Sequence, residues 1–236
     1  MTTRRSFLKQ ASLITPAAML MPNLLWAEKR THAIGIQLYT LRDLIGKDPK
    51  GILDKVAAAG YTEIETFGYN AGKYFGLTVK EFAAHASSLG LKSPSGHYMP
   101  PKFLWGSEED GKAELKDLIE TAVTMQHEYL VVPYLPAEKR TSLDDYKKIA
   151  AKLNIAGEAC KQAGIQLAYH NHDFEFTDYS GTSGYDILTG ETDANLVKFE
   201  IDLYWVVFAG KNPQQLFEKL KGRVPMWHVK DMDKSD

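Results

Sequence analysis

The chain has 236 residues, 44% hydrophobic and 25% charged, with a single cysteine and a formal net charge of −2. Such values describe a globular chain with material for one large domain or two small ones. They exclude a disulfide framework or thiolate metal cluster, and they give no sign of a polyanion-binding surface. Cys160, within a helix-like stretch, reads as an ordinary buried thiol.

The first residues read as an address. Thr3-Arg4-Arg5-Ser6-Phe7-Leu8-Lys9 resembles the twin-arginine export signal, and a mildly apolar run from Ala11 to Trp26 follows it. Pro16, Pro22 and the short apolar length argue against a stable spanning helix, although a membrane anchor is the rival reading. The expected division is a signal over residues 1–27 and a folded body over residues 28–236. Export would place that body in the periplasm, with the twin-arginine machinery as a partner. Losing Arg4, Arg5 and Lys9 with the signal takes the net charge from −2 to −5. A mildly acidic body suits no nucleic-acid partner.

Strand-like and helix-like segments then alternate. Strands are expected over residues 33–39, 61–67, 91–98, 129–133, 164–169, 197–201 and 224–227. Helices are expected over residues 49–59, 78–89, 110–125, from Ser142 to Ala163, and over 213–220. Ser142 with Asp145 reads as a helix cap, and Gly60, Gly90 and Gly164 as stops. Strict alternation implies a parallel sheet. The repeated helix-to-strand turns, with no glycine-rich fingerprint after the first strand, favour a closed TIM-type (β/α)8 barrel over a doubly wound sheet. Only seven strands are counted, so the expectation is the front part of a longer barrel lacking its eighth β/α unit. The stretch from Met99 to Gly111 reads as the longest irregular loop, placed to cap the barrel mouth.

Chemistry-bearing residues gather at strand ends. His170-Asn171-His172-Asp173-Phe174-Glu175 follows the fifth strand, Asp202 ends the sixth, and His228 ends the seventh. Alternation puts His170 and His172 on one face. Two imidazoles converging with Asp202 and His228 suit one divalent ion: Mn, Zn, Mg, Fe or Co. His170, Asp202 and His228 are therefore the candidate metal ligands. Glu175 and His172 are the candidate base and acid, and Lys230 a candidate oxyanion stabiliser. Glu65 and His97, on the second and third strands, are candidates for binding substrate hydroxyls or assisting proton transfer. Tyr39, Arg42 and Trp205 offer stacking faces and donors, with Tyr204 beside them. Glu200, two residues before Asp202, is expected deeper on the same face, behind the ligands.

Four segments carry a resemblance: Ile36-Gln37-Leu38-Tyr39-Thr40-Leu41-Arg42, the block at 169–176, the block at 200–205, and His228-Val229-Lys230-Asp231. From about Ile34 to Lys230 the chain resembles the sugar phosphate isomerase/epimerase superfamily, the xylose isomerase-like barrels. The resemblance implies one divalent metal held by Glu, Asp, His and Glu from the fifth to eighth strands. Asp202 and His228 match the Asp and His. The first Glu has no clean match, leaving His170 or Glu175 as the third ligand, and the last would lie on an eighth strand beyond residue 236.

The implied activity is metal-dependent isomerisation or epimerisation of a sugar, by proton abstraction next to a carbonyl through an enediolate. A lyase or dehydratase on keto-sugars is the near alternative. Phosphodiester cleavage, as in the related apurinic endonucleases, fits an acidic body poorly. A non-catalytic sugar-binding barrel is the alternative from another class.

Overall fold

A computed structural model describes residues 34–233, so the segment read as an export signal lies outside the described residues. Seven strands form one sheet: β1 (Gly35–Gln37), β2 (Glu63–Thr66), β3 (Lys92–His97), β4 (Tyr129–Val132), β5 (Gln166–His170), β6 (Val197–Asp202) and β7 (Met226–His228). Each pairs in parallel with its neighbours in sequence, in the unbroken order β1 to β7. This is the order of a (β/α) barrel, and seven of its strands lie among the described residues.

Helices α1 (Pro49–Ala58), α2 (Val79–Ser88), α3 (Glu108–Thr124), α4 (Leu143–Gln162), α5 (Gly184–Glu191), α6 (Leu203–Phe208) and α7 (Pro213–Lys219) separate the strands. Their starts are written locally. Ser142 Oγ accepts from the Asp145 N–H while Asp145 Oδ2 accepts from the Ser142 N–H, the expected cap of α4. Thr78 with Glu81 and Ser183 with Asp186 repeat the device on α2 and α5. Gly90 and Gly164 take φ of +76° and +79° after α2 and α4, a left-handed turn that sends the chain back into a strand.

Several features depart from the expected elements, among them helix α5 and the helical segments Leu38–Leu41 and Arg42–Ile45, for which none was expected. Residues 69–78 form a small three-stranded antiparallel sheet between β2 and α2. The 99–111 stretch is not wholly irregular, because Pro101–Trp105 forms a helical turn that buries Phe103 and Leu104. The chain after Asp202 turns at once into α6.

Along the central strands β2 and β4 to β6 the outward side chains enter one apolar core with the helices. Ile64, Leu130, Val132, Leu167, Tyr169, Phe199 and Ile201 are all buried there. Burial of this continuous layer is the main favourable term in folding. The inward positions are different: Gln37 is the register partner of Glu65, His170 of Glu200, and Asp202 of His228. The sheet thus collects polar groups at one end of its inner face. Among the described residues no helix is long and apolar enough to cross a membrane.

Candidate metal centre

His97, His170, Glu200 and His228 stand at the carboxyl ends of β3, β5, β6 and β7. One donor atom from each lies within 4.8 Å of all the others. Glu200 is the hub: its Oε2 lies 2.9 Å from His97 Nε2, 3.1 Å from His170 Nδ1 and 3.4 Å from His228 Nε2. Glu65, on β2, joins from the other side, with Oε1 2.5 Å from His97 Nε2 and Oε2 3.0 Å from His228 Nε2.

Asp202 closes the group on its outer side. Its Oδ2 lies 3.7 Å from His170 Nε2, 3.7 Å from His228 Nδ1 and 2.5 Å from Lys230 Nζ. The other oxygen, Oδ1, accepts from the Tyr204 and Trp205 N–H groups and so caps α6. Asn171 Oδ1 accepts from the Asp202 N–H at 3.1 Å, while Asn171 Nδ2 donates to His172 O. The carboxylate is pinned from behind, with one oxygen presented to the imidazoles. His170 and His228 each show one ring nitrogen to Glu200 and the other to Asp202.

The charges follow from this crowding. Burial opposes a proton on His97 and on His228, yet the facing carboxylates outweigh it and push them up to about 9 and about 10. Burial would raise Glu65, but His97 and His228 hold it well below the usual carboxylate range. Burial likewise opposes Asp202, and His228 and Lys230 outweigh it to hold it low. For His170 burial wins, and its ring is held neutral.

The donor set fits a divalent cation. Glu65 Oε1, His170 Nδ1 and Asp202 Oδ2 are buried without a hydrogen bond of proper geometry, despite the close approaches just given. Buried lone pairs left so are costly in a folded protein unless something takes them up. Imidazole nitrogen with carboxylate oxygen is the chemistry of Zn, Mn, Fe or Co sites.

The expected ligands His170, Asp202 and His228 are brought together. His97 and Glu65, expected as substrate contacts, sit inside the cluster. Glu200, expected behind the ligands, is at its centre. Lys230 contacts Asp202 and lies 5.6 Å over the Trp205 ring. His172 lies at the rim, its ring centroid 5.1 Å from that of His170 and 5.4 Å from that of Trp205. Tyr39 and Arg42 contact one another, the guanidinium 4.8 Å over the ring, and Tyr39 meets Phe67 edge-on. Among the described residues, none of their ring or hydrogen-bond contacts is with a residue of the cluster.

Glu175 is placed differently from its expected position beside the ligands. It is fully buried, with Oε1 2.6 Å from the Tyr169 hydroxyl and Oε2 2.8 Å from the His172 N–H. Tyr169 faces the helix layer, opposite to His170, so this carboxylate lies behind the strand. The physical reason is that β5 ends at His170 and Glu175 sits in a 3-10 turn, Phe174–Phe176, where strand alternation no longer holds.

Comparison with known proteins bears on the family and the fold. An inosose dehydratase of Clostridium perfringens is 33% identical over 91 residues, which are 39% of this chain and 30% of that protein. The chain thus matches about a third of that relative's length. A sugar phosphate isomerase/epimerase of Parabacteroides distasonis superposes with a TM-score of 0.76 at 29% identity, covering 84% of this chain and 78% of that one. The IolI protein, solved with a bound zinc atom, shares the fold with a TM-score of 0.64 at 15% identity, covering 85% and 73%. Residues 53–236 match the family described as xylose isomerase-like TIM barrel, and the chain belongs to that family.

Proposed function

We propose that this protein is a divalent-cation-dependent enzyme of sugar isomerase, epimerase or dehydratase type, moving a proton next to a carbonyl. The carrying observation is the convergence of His97, His170, Glu200 and His228 at four strand ends, with Asp202 presenting one pinned oxygen beside them. The names of the relatives support sugar-like substrates, and the inosose dehydratase match favours the elimination branch.

His170, His228 and Glu200 would hold the cation, with Asp202 and His97 completing or orienting the set. A divalent cation bound there polarises a carbonyl and stabilises negative charge developing next to it. The chain's own groups do the rest. His172 is held neutral, pushed down to about 4 by burial, with its Nδ1 buried and unpartnered. A neutral imidazole at the rim accepts a proton and returns it. Lys230 steadies the Asp202 carboxylate and supplies a positive charge beside it to an oxyanion. Trp205 offers an apolar face to a sugar ring. Glu65 keeps the His97 and His228 rings oriented from below.

Export through the twin-arginine route to the periplasm is part of this reading, supported by Arg4-Arg5 with Phe7-Leu8. The test is proton exchange. The protein is incubated in deuterium oxide with a panel of aldoses, ketoses and keto-cyclitols, and C–H signals are followed by NMR. Loss of signal next to a carbonyl, abolished by chelator and restored by cation, is expected. Binding without exchange on every compound would identify a sugar-binding barrel instead.

A further inference from the structure

We infer that Glu175 is a positioning residue: with Tyr169 it fixes His172 at the rim of the cluster and takes no proton from the substrate itself. The inference rests on the proposed proton-transfer reading only in assigning His172 its task.

The geometry begins with strand alternation. His170 faces the cluster, and Tyr169, completely buried, faces the helix layer. The Tyr169 hydroxyl donates to Glu175 Oε1 at 2.6 Å, which anchors the carboxylate on the helix side. Tyr146, Tyr185 and Arg140 are within electrostatic reach of it there. From that anchor Glu175 Oε2 accepts the His172 N–H at 2.8 Å. Both oxygens are engaged by the chain, and the residue has no exposed surface through which to meet a sugar.

What the latch holds is a stack. The His172 ring lies parallel to Phe174 at 5.4 Å and 8°, and meets Trp205 at 5.4 Å and 36°. The Arg140 guanidinium sits 3.5 Å over Phe174, and the Lys230 ammonium 5.6 Å over Trp205. His170 and Tyr134 meet the same ring edge-on at 5.1 Å and 5.4 Å. The imidazole has four ring neighbours, its Nδ1 remains unpartnered, and its backbone N–H is tied to Glu175. A buried carboxyl group, pushed up to about 7 by burial, is a costly way to hold a turn. Its use here is explained by the need to aim one ring, since misplacement by about 1 Å can cost about 10²-fold in rate.

The experiment compares Glu175→Gln, Glu175→Met and Tyr169→Phe. Glutamine keeps both contacts, accepting from His172 N–H and donating to the tyrosine oxygen, whereas methionine keeps neither. Glu175→Gln is expected to hold kcat within about threefold of wild type, where loss of a general base would cost about 10²–10⁴-fold. Glu175→Met is expected to lose about 10²-fold in kcat with KM nearly unchanged. Tyr169→Phe should fall between them, and it serves alone should the methionine variant not fold.

The second readout is independent of activity: the His172 amide and imidazole signals by nitrogen-15 NMR, in protein freed of cation. They should match wild type in Glu175→Gln and shift in Glu175→Met or Tyr169→Phe. Should wild type exchange no sugar proton, the proposed function fails while these signals still decide the latch. Unchanged His172 signals in every variant would overturn it. So would a Glu175→Gln enzyme with native His172 signals and no turnover, which would make Glu175 the base.

Discussion

Lys230 places its ammonium 2.5 Å from Asp202 Oδ2, the oxygen that Asp202 does not spend on capping α6. One carboxylate therefore serves two ends, a helix start and a charged site, through separate atoms. The two roles are separable by mutation. Asp202→Asn keeps the capping oxygen and should cost less than about 1 kcal/mol of stability, whereas Asp202→Ala loses the cap at about 1 kcal/mol. Both should weaken cation binding by at least ~10-fold, the scale seen for groups around a metal. Urea denaturation and calorimetric titration read the two effects. Equal stability loss in both variants would refute the division of labour.

Gly96 is a second point of tension, because the strand that carries His97 has no room for a side chain before it. A Cβ there would meet Thr66 Oγ1 at 2.4 Å and His127 Cε1 at 2.5 Å. Gly96→Ala should therefore destabilise by about 1–3 kcal/mol through overpacking. Because His97 is next in the chain, cation affinity should fall as well. A thermal melt indistinguishable from wild type would contradict this packing.

His127, packed against Gly96 and Thr66 next to the strand residues of the cluster, gives the fold an acid sensitivity of its own. It is buried with Tyr98 Oη 3.0 Å from Nδ1 and Ser93 Oγ 2.9 Å from Nε2, and burial pushes its pKa down to about 3. Between about pH 6.5 and about pH 3 the unfolded chain protonates this ring and the folded chain does not. Stability is thus complete above pH 6.5 and falls on acidification, by about 1.4 kcal/mol per pH unit from this group. His127→Gln should flatten that part of the stability–pH profile, measured by urea melts at pH 7 and pH 4.5. Parallel profiles for wild type and variant would show that this ring does not stay neutral.

Cys160 is buried, with its thiol pushed up to about 12 by burial. It should resist alkylation by iodoacetamide in the native protein and react promptly in urea. Modification of the folded protein at the rate of a free thiol would place it at the surface.

Much of the barrel was legible because periodicity and capping are local. The seven strands, the Ser142–Asp145 cap and the glycine stops all follow from short windows. The small sheet at 69–78 was not legible from alternation, because its strands are only two residues long; its turns, Ala71-Gly72 and Phe75-Gly76, do carry the glycine signal, with φ of +81° and +89° at the glycines and +46° and +51° at the residues before them. Within the site, parity along a strand showed which face His170, Asp202 and His228 share. It could not give depth, because depth depends on how neighbouring strands are staggered. That stagger brings Glu200 and His97 into the cluster. Glu175 was unreadable for another reason, since parity ends with the strand at His170 and a 3-10 turn then carries the carboxylate to the opposite side.

Direct titration of the chelator-treated protein with Zn²⁺ or Mn²⁺, by isothermal calorimetry, tests the central claim. Saturable uptake of a single ion per chain is expected, lost when His170 and His228 are both changed to Ala. No saturable uptake by wild type, or uptake unchanged in the double variant, would contradict a cation held by these strand ends.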